Sequence, residues 1–301
     1  MQHGSTSWLG LCHPAALASN YYDMRRAVRR GSITICIGLL SSCAEEKATE
    51  DLSFATDSVE AVVAAVDTSV DTSGFVVART PLRNDRYAGW EAYVRERRLL
   101  EGWVDFLNGW ISLSERITVT FAACGRADAF YEPQTRTITM CYELLPAFTQ
   151  AFREIPAAER DQAVLGATDF ILYHEIGHAL IDVLDLPVVG REEDAADQLA
   201  VYILTGGTEE DEQAAIDGAV ALHRLEEGMD EGSFADEHSL GPQRFYNIAC
   251  WVYGQNPEKY THLLLGSGGV LPEARAERCP AEYEQLQGSW DRLLDRYLKE
   301  S

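Results

Sequence analysis

The fold predicted for this chain is α+β. Three observations carry the prediction. Apolar residues recur at helical spacing over Tyr87–Trp110, β-branched residues alternate in a short block between Arg116 and Tyr142, and helical spacing then dominates from Glu143 to Lys299. A small sheet followed by a helical majority defines that class, rather than strands and helices in strict alternation. The sheet is expected to be mostly antiparallel, with one exposed edge strand.

Each element follows from its own pattern. In Tyr87–Trp110 the residues Trp90, Tyr93, Leu100, Trp103, Val104 and Leu107 fall on one helical face and predict a single helix. "RITVTFAAC" (116–124) and "TRTITMCY" (135–142) alternate as strands do, and "DAFYEPQT" (128–135) supplies a third short strand and a turn at Pro133. Helices are then expected over Glu143–Arg153, Ala158–Leu184, Glu192–Thr205, Glu209–Glu227, Pro242–Gly254 and Ala281–Lys299. No internal repeat is present, and residues 74–301 read as one domain.

The chain has 301 residues, 46% of them hydrophobic and 24% charged, enough to bury a sizeable core. Its 25 basic and 48 acidic residues leave a net charge of −23, which repels nucleic-acid phosphates and anionic lipid headgroups and argues against both as partners. The first 43 residues lie outside the predicted fold. From Met24, the cations Arg25, Arg26, Arg29 and Arg30 precede a short apolar run that ends in Leu40-Ser41-Ser42-Cys43. A cationic start and a short apolar stretch make an export signal, too short to stay as a spanning helix. Its end resembles the lipobox of bacterial lipoproteins. That resemblance implies a signal over 24–42, a miscalled extension over 1–23, and lipid on Cys43 as the mature N-terminus. It also implies an outer-membrane anchor facing the periplasm. Residues 44–73 are acidic and rich in small side chains, and read as a tether; a short amphipathic helix over Val59–Val66 is the competing reading.

Seven cysteines fit this picture. Cys12 and Cys36 precede the cleavage point and Cys43 carries lipid, which leaves Cys124, Cys141, Cys250 and Cys279 for two disulfides. Three connectivities are open, and the sequence-local pairing Cys124–Cys141 and Cys250–Cys279 is expected. None of the four belongs to a C-x-x-C pair.

The chemistry concentrates in "FILYHEIGHALIDVLDLP" (170–187). Residues four apart on a helix point the same way, so His174 and His178 can present two imidazole nitrogens to one Zn2+ ion. Glu175 projects beside them, able to act as general base toward a water on the metal without ligating it. The same three residues could instead be ordinary members of a packed helix. Against that, the flanks Phe170, Ile171, Leu172, Leu180, Ile181 and Val183 are apolar on nearly all sides, and buried polar groups need partners. One extended motif, H-E-x-x-H-x-x-G-x-x-H, fails here, because Ile181 and Leu184 stand where it needs glycine and histidine.

"GREEDAADQLA" (190–200) resembles the gluzincin pattern, in which a later helix supplies a glutamate ligand and an aspartate four residues on. The resemblance implies Glu193 as third ligand and Asp197 as the residue that orients a ligand imidazole; Asp197 as the ligand itself stays open. "DAFY" (Asp128, Ala129, Phe130, Tyr131) resembles the substrate-lining edge strand of gluzincins, with Asp128 in place of an asparagine. "EHSLGPQRFYNIACWVYG" offers His238 or Tyr246 for the oxyanion-stabilising role that gluzincins give a downstream histidine or tyrosine. Arg244 reads as an ion-pair partner for buried carboxylates. His223 and His262 have no supporting pattern and read as surface residues.

Taken together, these segments resemble a bacterial family of putative metallopeptidases, a domain of unknown function, over roughly residues 75–290. The resemblance implies a zincin-like fold, one zinc ion, and a peptide or protein substrate. It names no particular substrate. The membrane is expected to be touched only through the lipid anchor, and the sequence does not fix an oligomeric state. A non-catalytic envelope module, stabilised by zinc and disulfides, is the alternative function.

Overall fold

A computed structural model describes residues 73–83, 85–225, 241–264 and 270–299. The expected export signal, Cys43, the acidic tether and its alternative helix, and His238 lie outside the described residues, as does the side chain of His262.

The described residues form a four-stranded sheet and a helical majority around one hydrophobic core. Strand β1 (Gly74–Val77) is followed by a 3-10 turn (Asp85–Tyr87), α1 (Ala88–Glu96) and α2 (Leu99–Trp110). The single helix expected over this stretch is broken at Arg98, whose φ of +53° interrupts the helical path between two amphipathic segments. Strands β2 (Arg116–Ala122), β3 (Ala129–Glu132) and β4 (Thr137–Cys141) follow.

Sheet order is β1-β2-β4-β3, with β1 parallel to β2, β2 parallel to β4, and only β3 antiparallel to its neighbour β4. The expectation of a mostly antiparallel sheet is therefore corrected. The turn at Pro133–Arg136 does make β3 and β4 a hairpin. The chain leaving β2, however, passes over one lane to lay β3 at the edge, so β4 returns into the lane beside β2 in the same direction. Strands β1 and β2 are joined through α1 and α2, the kind of long crossover a parallel pair needs. Alternation along each strand reveals its faces, not its direction.

The helical part comprises α3 (Leu144–Ala151), α4 (Ala157–Val183), α5 (Glu192–Thr205), α6 (Glu209–Leu225), α7 (Gly241–Gln255), α8 (Pro257–Leu264), α9 (Glu273–Ala276) and α10 (Cys279–Leu294). The two short helices α8 and α9 had no clear signal in the sequence. Helix α4 is buried on almost every side over Phe170–Ile181, as its apolar flanks predict. It ends where Asp185 takes a φ of +50°, with the Leu186 amide donating to the Ile181 carbonyl, and the chain turns through Pro187 and Gly190 (φ +113°) into α5.

Gly177 sets how closely those two helices meet. A Cβ there would lie 2.7 Å from the Ala196 Cα of α5, so only glycine permits this approach. Both expected disulfides are present. Cys124–Cys141 ties the loop after β2 to the end of β4, and Cys250–Cys279 ties α7 to the start of α10. Cross-links closing loops of this size stabilise by roughly 3 kcal/mol each.

Candidate metal centre

Helix α4 places His174 and His178 one turn apart, and the close approach at Gly177 and Ala196 brings the first turn of α5 against them. Glu193 reaches both rings. Its Oε2 lies 3.1 Å from His174 Nε2 and its Oε1 3.4 Å from His178 Nε2, while the two Nε2 atoms are 3.2 Å apart. The ligand-capable atoms of His174, His178 and Glu193 all fall within 4.8 Å of one another. Two ligands held tetrahedrally at zinc distances would stand about 3.3 Å apart, so the observed spacing fits one such ion.

The outer faces of the rings are also partnered. His174 Nδ1 lies 2.9 Å from Asp197 Oδ1, and Arg244 of α7 donates to the same carboxylate from Nε to Oδ2 at 2.8 Å and from Nη2 to Oδ1 at 2.7 Å. His178 Nδ1 lies 2.7 Å from Glu192 Oε1. An acceptor at each Nδ1 favours the tautomer that carries its proton there and turns the Nε2 lone pair toward the cluster. Asp197 meets the His174 nitrogen that faces away from Glu193, so it lies outside the cluster of His174, His178 and Glu193. Arg244 is the ion-pair partner of a buried carboxylate, as its sequence context suggested.

Charge at the site is strongly coupled. Burial lowers the His174 pKa, but hydrogen bonds to Asp197 and Glu193 outweigh it and raise it to about 9. His178 is likewise raised, burial being overcome by Glu193. Burial would raise Glu193, yet the two imidazoles hold it far below the ordinary carboxylate range; Asp197 is depressed against burial by Arg244. A carboxylate converging on two Nε2 atoms needs positive charge between them, from protons or from a cation. A divalent ion suits two imidazoles and one carboxylate.

Glu175 is buried beside this cluster, and burial pushes its carboxyl above its ordinary value against the pull of His174 and His178. The charges of Glu193 and Asp128 push the same way, which sets Asp128 within electrostatic reach of Glu175. Asp128 also pairs with Arg126 at 2.7 Å and accepts from the Ala129 amide at 3.0 Å. Strand β3 that follows is one edge of the sheet. Tyr131 fastens it to α4 by donating to Asp182 at 2.7 Å, and Phe130 is exposed.

Tyr246 is half-buried with its ring against Phe245, and it is Arg244, two residues earlier, that reaches the cluster from α7. His223, expected at the surface, is half-buried with its ring 5.3 Å from Phe245. Glu192 carried no expectation from the sequence; the signal that could have found it is that His178 also needs an acceptor for Nδ1. A second group able to hold a metal, Cys124, Cys141 and Glu143, has its sulfurs joined in a disulfide, and Glu143 accepts from the Cys124 and Gly125 amides at 3.2 and 2.7 Å.

A family model described as "Putative metallopeptidase" matches residues 80–294. No curated protein and no solved structure matches the chain.

Proposed function

The chain belongs to this family of putative metallopeptidases, and from that premise we propose that it is a zinc-dependent peptidase in which His174, His178 and Glu193 hold one ion and Glu175 is the general base. The observation that carries the reading is the convergence of two Nε2 atoms and one carboxylate within hydrogen-bonding distances of one another, beside a buried glutamate. Zinc bound by this set would supply Lewis acidity, making a water acidic and polarising the scissile carbonyl.

The chain's own residues do the rest. Asp197, held by Arg244, and Glu192 keep the two imidazoles turned toward the ion. Glu175 takes a proton from the attacking water and passes it to the leaving amine; a carboxyl raised by burial is suited to both steps. Strand β3 offers an unpaired edge on which an extended peptide can add as a further strand. Tyr246 and His238 are carried in this reading as candidates for stabilising the oxyanion, on the sequence resemblance alone.

The same reading puts the domain in the bacterial cell envelope, anchored by lipid on Cys43. Its support is the cationic and apolar segment before Cys43 and the two disulfides, which form and persist in oxidising compartments. Metal analysis of the purified protein and a broad peptide-library cleavage assay test the function, with Glu175→Gln as control. Bound zinc with cleavage abolished by Glu175→Gln is the expected result. Cleavage surviving that substitution removes the mechanism, and bound zinc without any cleavage favours a non-catalytic module.

A further inference from the structure

Strand β3 is tied to α4 by the Tyr131 hydroxyl, which donates to Asp182 at 2.7 Å. We propose that Asp182 is a positioning residue for peptide binding: through Tyr131 it fixes the edge backbone with which an extended peptide pairs, in register with the metal cluster. The inference rests on the peptidase reading and deepens it.

Register along α4 comes first. Asp182 stands four residues after His178 and seven after Glu175, so all three share one side of the helix. Seven residues rise about 10.5 Å along a helix. From Asp128 to Tyr131 an extended chain advances about 10 Å. The two lengths match, and the contacts agree with them, Asp128 lying within electrostatic reach of Glu175 and Tyr131 bonding Asp182. Strand β3 therefore runs alongside this row of α4. Ala129 and Tyr131 pack against the core, and Phe130 on the other face is exposed.

The hydrogen-bond ladder singles out Tyr131. The Cys141 amide donates to the Asp128 carbonyl, and positions along an antiparallel pair alternate between bonded and non-bonded. Phe130, two residues on, thus directs its backbone groups to β4, whereas Ala129 and Tyr131 turn theirs to the open edge. The Ala129 amide is taken by Asp128 Oδ1 at 3.0 Å. Of the two, Tyr131 keeps both an N–H and a C=O for an added strand. The opposite edge of the sheet is occupied at Phe75. There the Asn108 carboxamide accepts from the Phe75 amide at 2.9 Å and donates to the Phe75 carbonyl at 2.8 Å, standing in for a strand beside β1.

The tie suits the role. Burial, then the Asp182 bond, raise the Tyr131 pKa, so the phenol stays a donor. Asp182 itself is exposed, and its removal leaves no buried charge unpaired and costs the fold little.

The test uses the zinc-loaded full chain carrying Glu175→Gln. Fluorescein-labelled, end-blocked decapeptides of varied sequence are titrated by anisotropy. The tightest binder is then measured on Asp182→Ala, Asp182→Asn and Tyr131→Phe in the same background. Asp182→Ala and Tyr131→Phe are each expected to weaken binding about tenfold, and the double variant no further, because both remove one bond. Asp182→Asn keeps an acceptor and should lose less, while zinc affinity by chelator competition stays within about twofold throughout. Binding unchanged in both single variants, additive losses, zinc affinity lost in parallel, or no peptide bound by the parent overturns the proposal. Steady-state cleavage in the wild-type background separates it from the reading it rests on, and Asp182→Ala is expected to raise KM with kcat little changed. Cleavage that Asp182→Ala leaves untouched removes the tie and keeps the peptidase, whereas tie-dependent binding without any cleavage removes the peptidase and keeps the tie.

Discussion

Arg244 and Asp197 form a buried, two-point ion pair, Nε to Oδ2 at 2.8 Å and Nη2 to Oδ1 at 2.7 Å, at the back of the His174 imidazole of the candidate metal cluster. Both side chains are almost wholly withdrawn from solvent, at 4% and 2% exposure. Removing Arg244 deprives the buried Asp197 carboxylate of two charge-assisted hydrogen bonds. Arg244→Met is therefore expected to destabilise the fold by about 3–5 kcal/mol. It should also free Asp197 to turn from His174 and weaken metal binding by about 10–100-fold. Urea denaturation and competition with a chelator measure the two effects separately. Unchanged metal affinity in a folded Arg244→Met protein would show that Asp197 keeps its orientation unaided.

The two orienting carboxylates should not be equal. Asp197 is buried and shared with Arg244, whereas Glu192 is half exposed and meets His178 from the solvent side. Water can replace Glu192 at Nδ1 but not Asp197. Asp197→Asn is expected to cost about 10–100-fold in zinc affinity, and Glu192→Gln less than about tenfold. A zinc titration of both variants in parallel checks the order, and the reverse order would show that solvent access does not govern this shell.

Sequence periodicity made the helical majority legible because α4 to α7 each bury a broad face and are bounded by breakers such as Pro187 and Gly190. The convergence of His174 and His178 was legible for a related reason, since positions along a helix fix which side chains share a side, whereas Glu193, on the next helix, was expected only from the gluzincin-like pattern. Sheet direction was not. It depends on which lane β3 takes, a choice made by packing distant in sequence. The break at Arg98 was hidden because both halves, Ala88–Glu96 and Leu99–Trp110, are amphipathic and a single left-handed residue leaves no mark in the apolar spacing. Glu192 was hidden because its partner lies on another helix and its own face shows no pattern.

Gly177, inside the His-Glu-Ile-Gly-His run, carries a prediction of its own. Its missing side chain is what lets Ala196 sit against α4, with Glu193 one turn earlier on α5 meeting both imidazoles. Gly177→Ala drives a Cβ to 2.7 Å from the Ala196 Cα, and that contact is backbone, so the helices must part. The expected cost is about 1–3 kcal/mol of stability, together with loss of zinc out of proportion to that cost. Calorimetry of the apo and zinc-loaded forms separates the two. Ala196→Gly in the same chain should recover little, since the nearest clash is with the Cα.

A half-buried acid outside the candidate metal cluster gives the pH prediction. Asp169 on α4 accepts from the Trp103 indole at 2.7 Å, and burial raises its pKa to about 7, helped by Asp211 and Asp217 and opposed by the Trp103 bond. An unfolded aspartate titrates near 3.9. Between these values the folded chain holds a proton that the unfolded chain has lost, so this residue's contribution to stability is full below pH 4 and declines as the pH rises through 7. Asp169→Asn keeps an acceptor for Trp103 and cannot ionise. The difference in unfolding free energy, variant minus wild type, is therefore expected to rise with pH across that window, by on the order of 1–3 kcal/mol once partial solvent access at Asp169 is allowed for. Taking the difference cancels the titration of the other carboxylates of this acidic chain. Urea denaturation of both proteins at pH 4, 5.5 and 7.5, followed by far-ultraviolet circular dichroism, measures it. A flat difference would mean that Asp169 ionises in the folded protein as readily as in the unfolded one, with the Trp103 hydrogen bond outweighing burial.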